Sequence, residues 1–140
     1  MCYFFVYLHR LLISLYEISE CQKSVVSVAL FTIKQLSKAK TYANKAISLN
    51  GSYGAPYILI GQMYASSPKW SDEPAMNKCS YFAAIDKFQR AKAVDPSVAE
   101  EANKLIGTYS AYTPKPEDLF FLGLKKGDNV TIGGWIGETT

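Results

Sequence analysis

Apolar residues recur at intervals of three and four through the middle of the chain, which is the spacing of one face of an α-helix. Two sets of positions, separated by a more polar stretch, carry this pattern. The first set is Tyr57, Ile60, Gly61 and Tyr64, and the second is Ala84, Phe88, Ala91 and Pro96. Each set predicts one helix, and the proline predicts the turn after the second because proline cannot continue a helix.

The sizes of these residues allow the two helices to pack closely against each other. Gly61 and Ala84 have almost no side chain, so the two helices can approach closely at these positions. Tyr64 and Phe88 are large enough to fill the space between one hairpin and the next. The predicted fold class is therefore all-α.

A weaker copy of the pattern precedes this hairpin. Ala39, Ala43 and Ala46 have the spacing expected in the second helix of a repeat. Gly51 occupies the position that corresponds to Pro96. The first helix of a third repeat follows, with Ser97 as its expected N-cap. Two closely spaced prolines then end the series of repeats. The predicted repeats cover about 20–53, 54–98 and, in part, 99–112, with a loop at 66–78 inserted between the two helices of the middle repeat.

The last segment, residues 113–140, has a different pattern. Residues 117–126 predict a short helix, with acids at its start and lysines at its end. Residues 129–136 alternate in polarity as a strand does, and no second strand-like run follows. We expect a capping helix and a strand-like tail that packs over the last helices, with Trp135 and Ile136 covering the end of the array.

The N-terminal segment, residues 1–19, matches no single template. Residues 1–16 are apolar except for His9 and Arg10 in their middle. A signal peptide has its positive charge first and small residues before its cleavage site, and a spanning helix needs about 20 apolar residues. The sequence leaves open whether this segment is a native helix, a signal or a membrane anchor.

Charge and composition narrow the class of protein. The 140 residues have a net charge of +3, from 15 basic and 12 acidic side chains spread along the chain. This small, even charge argues against a nucleic-acid partner. Cys2, Cys21 and Cys79 are widely spaced and lack a neighbouring histidine, so they do not predict a metal site.

Candidate catalytic groups are also few. His9 is the single histidine, which argues against Ser-His-Asp and Cys-His catalysis. The glycines do not occur in a phosphate-binding motif. We therefore expect no enzymatic activity, no cofactor and no metal.

The positions at 57–64 and 84–96 resemble the landmarks of the tetratricopeptide repeat (TPR) family, and the resemblance covers about residues 20–112. The tail sequences FFLGLKKGD and GGWIGETT are similar to the ending of certain large bacterial TPR proteins, many of which have a secretion signal. This resemblance implies an antiparallel helix-hairpin solenoid, with a protein or peptide partner held in the groove lined by the first helix of each repeat. The side chains it places there as candidates for partner binding are Ile58, Gln62, Asn103 and Lys104.

The resemblance thus implies a non-catalytic scaffold that is exported or periplasmic, and the alternative location is the cytoplasm. Trp70, in the inserted loop, either folds back on the helices or contributes to a binding surface. The alternative function is a membrane-anchored or exported bacterial assembly component that uses residues 1–16 as its signal or anchor.

Overall fold

Four helices of 11 to 15 residues are the longest elements in the part of the chain that the structure describes. The computed structural model describes residues 35–67 and 69–140. In chain order its elements are α1 (Leu36–Leu49), α2 (Ala55–Ala65), α3 (Pro74–Lys78), α4 (Ser80–Val94), a 3-10 helix (Pro96–Val98), α5 (Ala99–Ser110), α6 (Pro116–Phe121), β1 (Thr131–Ile132) and β2 (Glu138–Thr139). The predicted helical class with a short C-terminal tail is confirmed at this level.

The long helices pack in sequence, α1 on α2, α2 on α4 and α4 on α5. Small residues allow these contacts: Ala39 and Ala43 of α1 are completely buried, and so are Ala84 and Ala91 of α4. Between them lie the large buried side chains of α2 and α4. A core of alternating small and large residues lets the helices approach and still leaves little empty space.

Gly61 and Phe88 form the tightest of these contacts. A Cβ atom on Gly61 would lie 2.8 Å from Phe88 Cδ1. The other side of the Phe88 ring stacks on Tyr109, with 5.8 Å between ring centroids. Phe88 therefore contacts both α2 and α5 from its place on α4.

The turn between α4 and α5 is organised by Asp95 and not by the predicted cap, Ser97. Val98 occupies the N-cap position of α5, and no side chain caps the helix there. Asp95 instead accepts a hydrogen bond from the Ser97 backbone N–H at 3.0 Å. It also accepts one from the Gly54 N–H at 3.0 Å, which fixes this turn against the start of α2. The prediction of Ser97 as the cap was wrong, because the Asp95 carboxylate accepts the hydrogen bonds of the free backbone N–H groups at this turn.

The inserted segment at 66–78, predicted as a loop, contains the helix α3 at its C-terminal end. Asn77 holds the preceding residues in place through four hydrogen bonds. Its Oδ1 accepts from the backbone N–H groups of Trp70 and Ser71, and its Nδ2 donates to the carbonyls of Ser71 and Glu73. One amide side chain thus replaces the backbone pairing that a loop of this kind lacks.

The tail forms a small antiparallel hairpin, so the prediction that it has no second strand was wrong. Thr131 pairs with Thr139 and Ile132 with Glu138. Val130 and Thr140 extend the pairing through two backbone hydrogen bonds of 2.8 and 3.0 Å. Trp135 and Ile136, expected within the strand, lie in the connection, where Gly134 and Gly137 adopt positive φ. The hairpin packs against α1, α2 and α4, whereas the tail was expected to cover the last helices.

The alternatives for residues 1–19, and the first part of the repeat predicted at 20–53, lie outside the described residues. Within residues 35–67 and 69–140, no helix is long and apolar enough to cross a membrane.

Candidate functional site

The residues predicted to face a partner differ in their exposure. Ile58 is only 5% exposed and belongs to the core, so it does not present its side chain to a partner. Gln62 is half-buried on α2, whereas Asn103 and Lys104 are exposed on α5. The Asn103 side-chain oxygen accepts a hydrogen bond from Lys92 at 3.0 Å. Three polar side chains of the predicted groove therefore remain accessible, on two helices that both pack against α4.

Trp70 packs against the C-terminal hairpin. A Cβ atom on Gly133 would lie 3.1 Å from Trp70 Cε3, and one on Gly134 would lie 3.5 Å from Trp70 Cβ. The Trp70 backbone N–H donates to Asn77 at 2.8 Å. The inserted segment and the tail are thus in contact through this residue.

The main polar cluster of the described residues surrounds Glu138 of the hairpin. Lys87 of α4 lies 2.9 Å from Glu138 Oε2, and Lys40 of α1 lies 3.3 Å from Oε1. The Tyr64 hydroxyl of α2 donates a hydrogen bond to the same Oε1. Three helices therefore hold one carboxylate, with two of the contacts from positive charges.

The environment keeps Glu138 ionised and Tyr64 protonated at neutral pH. Burial acts to raise the pKa of Glu138, but the hydrogen bonds from Tyr64 and Lys87 and the charges of Lys87 and Lys40 outweigh it, and the pKa lies below its usual value. Burial, together with the hydrogen bond to the Glu138 carboxylate, raises the pKa of Tyr64. Both shifts favour the state in which the hydroxyl donates to the carboxylate.

Apolar contacts surround this cluster. The Trp135 ring packs on Tyr64 with 5.5 Å between centroids. Ile132 and Ile136 are 0% and 2% exposed. Lys40 lies 5.2 Å from the centre of the Tyr64 ring and donates a hydrogen bond of 2.6 Å to the Ile136 carbonyl. The hairpin is therefore bound through one carboxylate and an adjoining apolar surface.

Sequence reasoning missed this cluster. Tyr64 was recognised as a packing position, but Lys40, Lys87 and Glu138 were not singled out. Glu138 lies 74 positions from Tyr64, and no periodic pattern links residues so far apart. The one available signal was the Tyr64 hydroxyl itself, since a buried tyrosine usually finds a hydrogen-bond partner.

Cys79 is buried, and its burial raises the pKa of the thiol, which disfavours the reactive thiolate. Residues 35–67 and 69–140 contain no cluster of three or more potential metal ligands. An open cavity of about 540 Å³ between α3 and α6 is lined by acidic, basic and apolar residues in a mixed arrangement.

No family model, curated protein or solved structure matches this chain.

Proposed function

We propose that this protein is a non-catalytic interaction scaffold of the TPR type. In this proposal its helix pairs stack side by side and bind a peptide or protein in the groove lined by α2 and α5. The observation that carries the proposal is the contact of Gly61 and Phe88. A residue without a side chain on the first helix meets a large ring on the second, and this supports the close approach of the two helices that the landmarks predict.

Two further features support the proposal. Phe88 also stacks on Tyr109 of α5, which is the first helix of the next repeat in this proposal. The same ring therefore contacts both its own helix pair and the next one. Ala84 and Ala91, at the two small-residue landmarks of α4, are completely buried. Stacking of this kind joins neighbouring repeats into one continuous core.

The accessible groove side chains define the chemistry of the partner. Gln62 and Asn103 can donate and accept hydrogen bonds, and Lys104 adds a positive charge. Such groups suit the backbone carbonyls and amides of an extended peptide. Because the Lys, Asn and Arg set of the carboxylate-binding TPR proteins is not present at these positions, we propose recognition along a peptide and not at its end.

Site-specific photo-crosslinking tests the groove. A photoreactive amino acid replaces Gln62 or Lys104 in the full chain, and matched controls carry it at the exposed positions Lys45 of α1 and Arg90 of α4. We expect the same partner to be crosslinked from Gln62 and from Lys104 but not from the controls. Equal yields at all four positions, or none at the groove positions, would contradict the proposal.

A further inference from the structure

The surface that receives Glu138 is formed by the helices alone. Lys40, Tyr64 and Lys87 come from three different helices, and the two lysine side chains are only 20% and 26% exposed. In the part of the chain that the structure describes, Glu138 is the acid with which both lysines form ion pairs. Without it, two partly buried positive charges and a buried hydroxyl would lose their shared acceptor. Partly buried charges of one sign require a counterion, so this surface is suited to a carboxylate.

The surface also contacts apolar side chains that lie next to the carboxylate in the hairpin. The Tyr64 ring contacts the Trp135 ring at a tilt, and the adjoining core contains Ile136. These two residues and Glu138 lie within four positions of one another. The features that the surface contacts are therefore an acid, a large aromatic ring and a branched apolar side chain on one short segment.

The hairpin has little structure of its own to hold it there. Its two strands have two residues each, and a lone two-stranded hairpin is marginal in water. The segment that joins it to α6 is mostly exposed and contains Gly123 and Gly127 at positive φ. The hairpin therefore depends on its contacts with the helices, and its connection permits it to leave.

Two buried donors also weaken the docked arrangement. The indole N–H groups of Trp70 and Trp135 are buried, and neither donates a hydrogen bond to another residue that the structure describes. Burying a hydrogen-bond donor without an acceptor costs free energy, so it destabilises the docked state of the hairpin. The docked hairpin is thus complementary in charge and shape but not in every polar group.

We propose that the surface of Lys40, Tyr64 and Lys87 is a binding site for an acidic peptide, and that the C-terminal hairpin is its built-in, displaceable occupant. The peptide places a Glu or Asp carboxylate shortly after a large aromatic residue. This site is distinct from the groove side chains Gln62, Asn103 and Lys104, so it does not depend on the function proposed above. The tethered hairpin competes with any free peptide at an effective concentration of about millimolar.

A synthetic peptide of residues 129–140, NVTIGGWIGETT, labelled with a fluorophore, tests the proposal on the full chain. Its affinity is measured by fluorescence anisotropy for the wild type and for Glu138→Gln, which keeps the side chain's shape but removes its charge. We expect the peptide to bind Glu138→Gln roughly tenfold more tightly or better, because the internal competitor has lost its charged contacts. The same peptide with Gln in place of its Glu is the control and should bind about tenfold more weakly.

The double variant Glu138→Gln/Lys87→Met should lose the gained affinity. Hydrogen exchange on each variant reports whether α2 and α4 stay protected while the amides of Val130 and Thr140 exchange faster. If Glu138→Gln disturbs the helices, Ile136→Ala weakens the hairpin from its apolar side and should also increase peptide binding. The proposal is overturned if the peptide binds neither chain, or binds wild type and both hairpin variants equally. It is also overturned if the variants do not bind the peptide and form dimers. The surface of Lys40, Tyr64 and Lys87 would then be occupied by the hairpin of a second copy.

Discussion

Gly61 sets the distance between α2 and α4. The Phe88 ring occupies the space where a Cβ of Gly61 would lie, and it also stacks on Tyr109. Because the ring is completely buried, it cannot rotate away to admit another atom. Gly107, by contrast, lies in α5 with nothing within 4 Å of where its Cβ would be. The two helical glycines therefore have opposite environments.

We predict opposite effects for alanine at these two glycines. Gly61→Ala should lower the free energy of unfolding by about 1–3 kcal/mol, because the methyl group overpacks the contact with Phe88. Gly107→Ala should raise it by about 0.5–1 kcal/mol, because alanine is the better helix former and meets no obstacle. Urea denaturation of both variants measures this. Equal changes in the two variants would show that the Gly61–Phe88 contact does not limit the packing.

Among the elements, the inserted segment depends on Asn77. Its amide makes four hydrogen bonds to the backbone between Trp70 and Glu73. This arrangement positions Trp70 against the hairpin, so the insert and the tail support each other. The segment was predicted as a loop, and its side-chain network carries no periodic signal.

We predict that Asn77→Ala loosens the insert without unfolding the helices. The backbone N–H groups of Trp70 and Ser71 lose their acceptor, at a cost of about 1–3 kcal/mol for local structure. Hydrogen exchange should accelerate at these amides and, through Trp70, at the hairpin, while α2 and α4 remain protected. A suitable control is Thr108→Ala, which removes an exposed hydroxyl from α5 far along the chain. Unchanged exchange at Trp70 in Asn77→Ala would mean that the network does not hold the segment.

The helices could be predicted from the sequence because their evidence is local. Spacings of three, four and seven locate α2 and α4, and the landmark residues from Ile60 to Ala91 are buried as the pattern requires. The hairpin could not be predicted in the same way. Two-residue strands are too short for alternation to define them, and the strand β2 is placed by contacts with helices far away in the sequence.

For the whole molecule, Glu138 makes stability depend on pH. Its pKa is lower in the folded protein than its ordinary value, so folding favours the ionised form. This contribution is fully present above the unfolded pKa of about 4.3 and is lost as the pH falls through the folded pKa. The carboxylate thus stabilises the docked hairpin at neutral pH and not in acid.

We predict that the stability difference between wild type and Glu138→Gln shrinks as the pH falls from 7 to about 3. Both chains are unfolded by urea at a series of pH values, and their free energies of unfolding are subtracted. Lys87→Met removes the positive partner of Glu138 and leaves the acid in place. Its free energy of unfolding should approach that of the wild type over the same range of pH. A difference that stays constant from neutral to acidic pH would contradict the role assigned to the ion pairs.

The bond from Lys40 to the carbonyl of Ile136 joins residues 96 positions apart. Contacts between such distant residues require closure of a long loop, and they slow folding compared with local contacts. The helices are expected to associate first, since each packs on its neighbour in sequence. During synthesis α1, α2 and α4 therefore emerge before the hairpin exists, and the two lysines remain open to any acidic segment that arrives earlier. The newly made chain thus passes through an interval in which the surface of Lys40, Tyr64 and Lys87 is formed without its occupant.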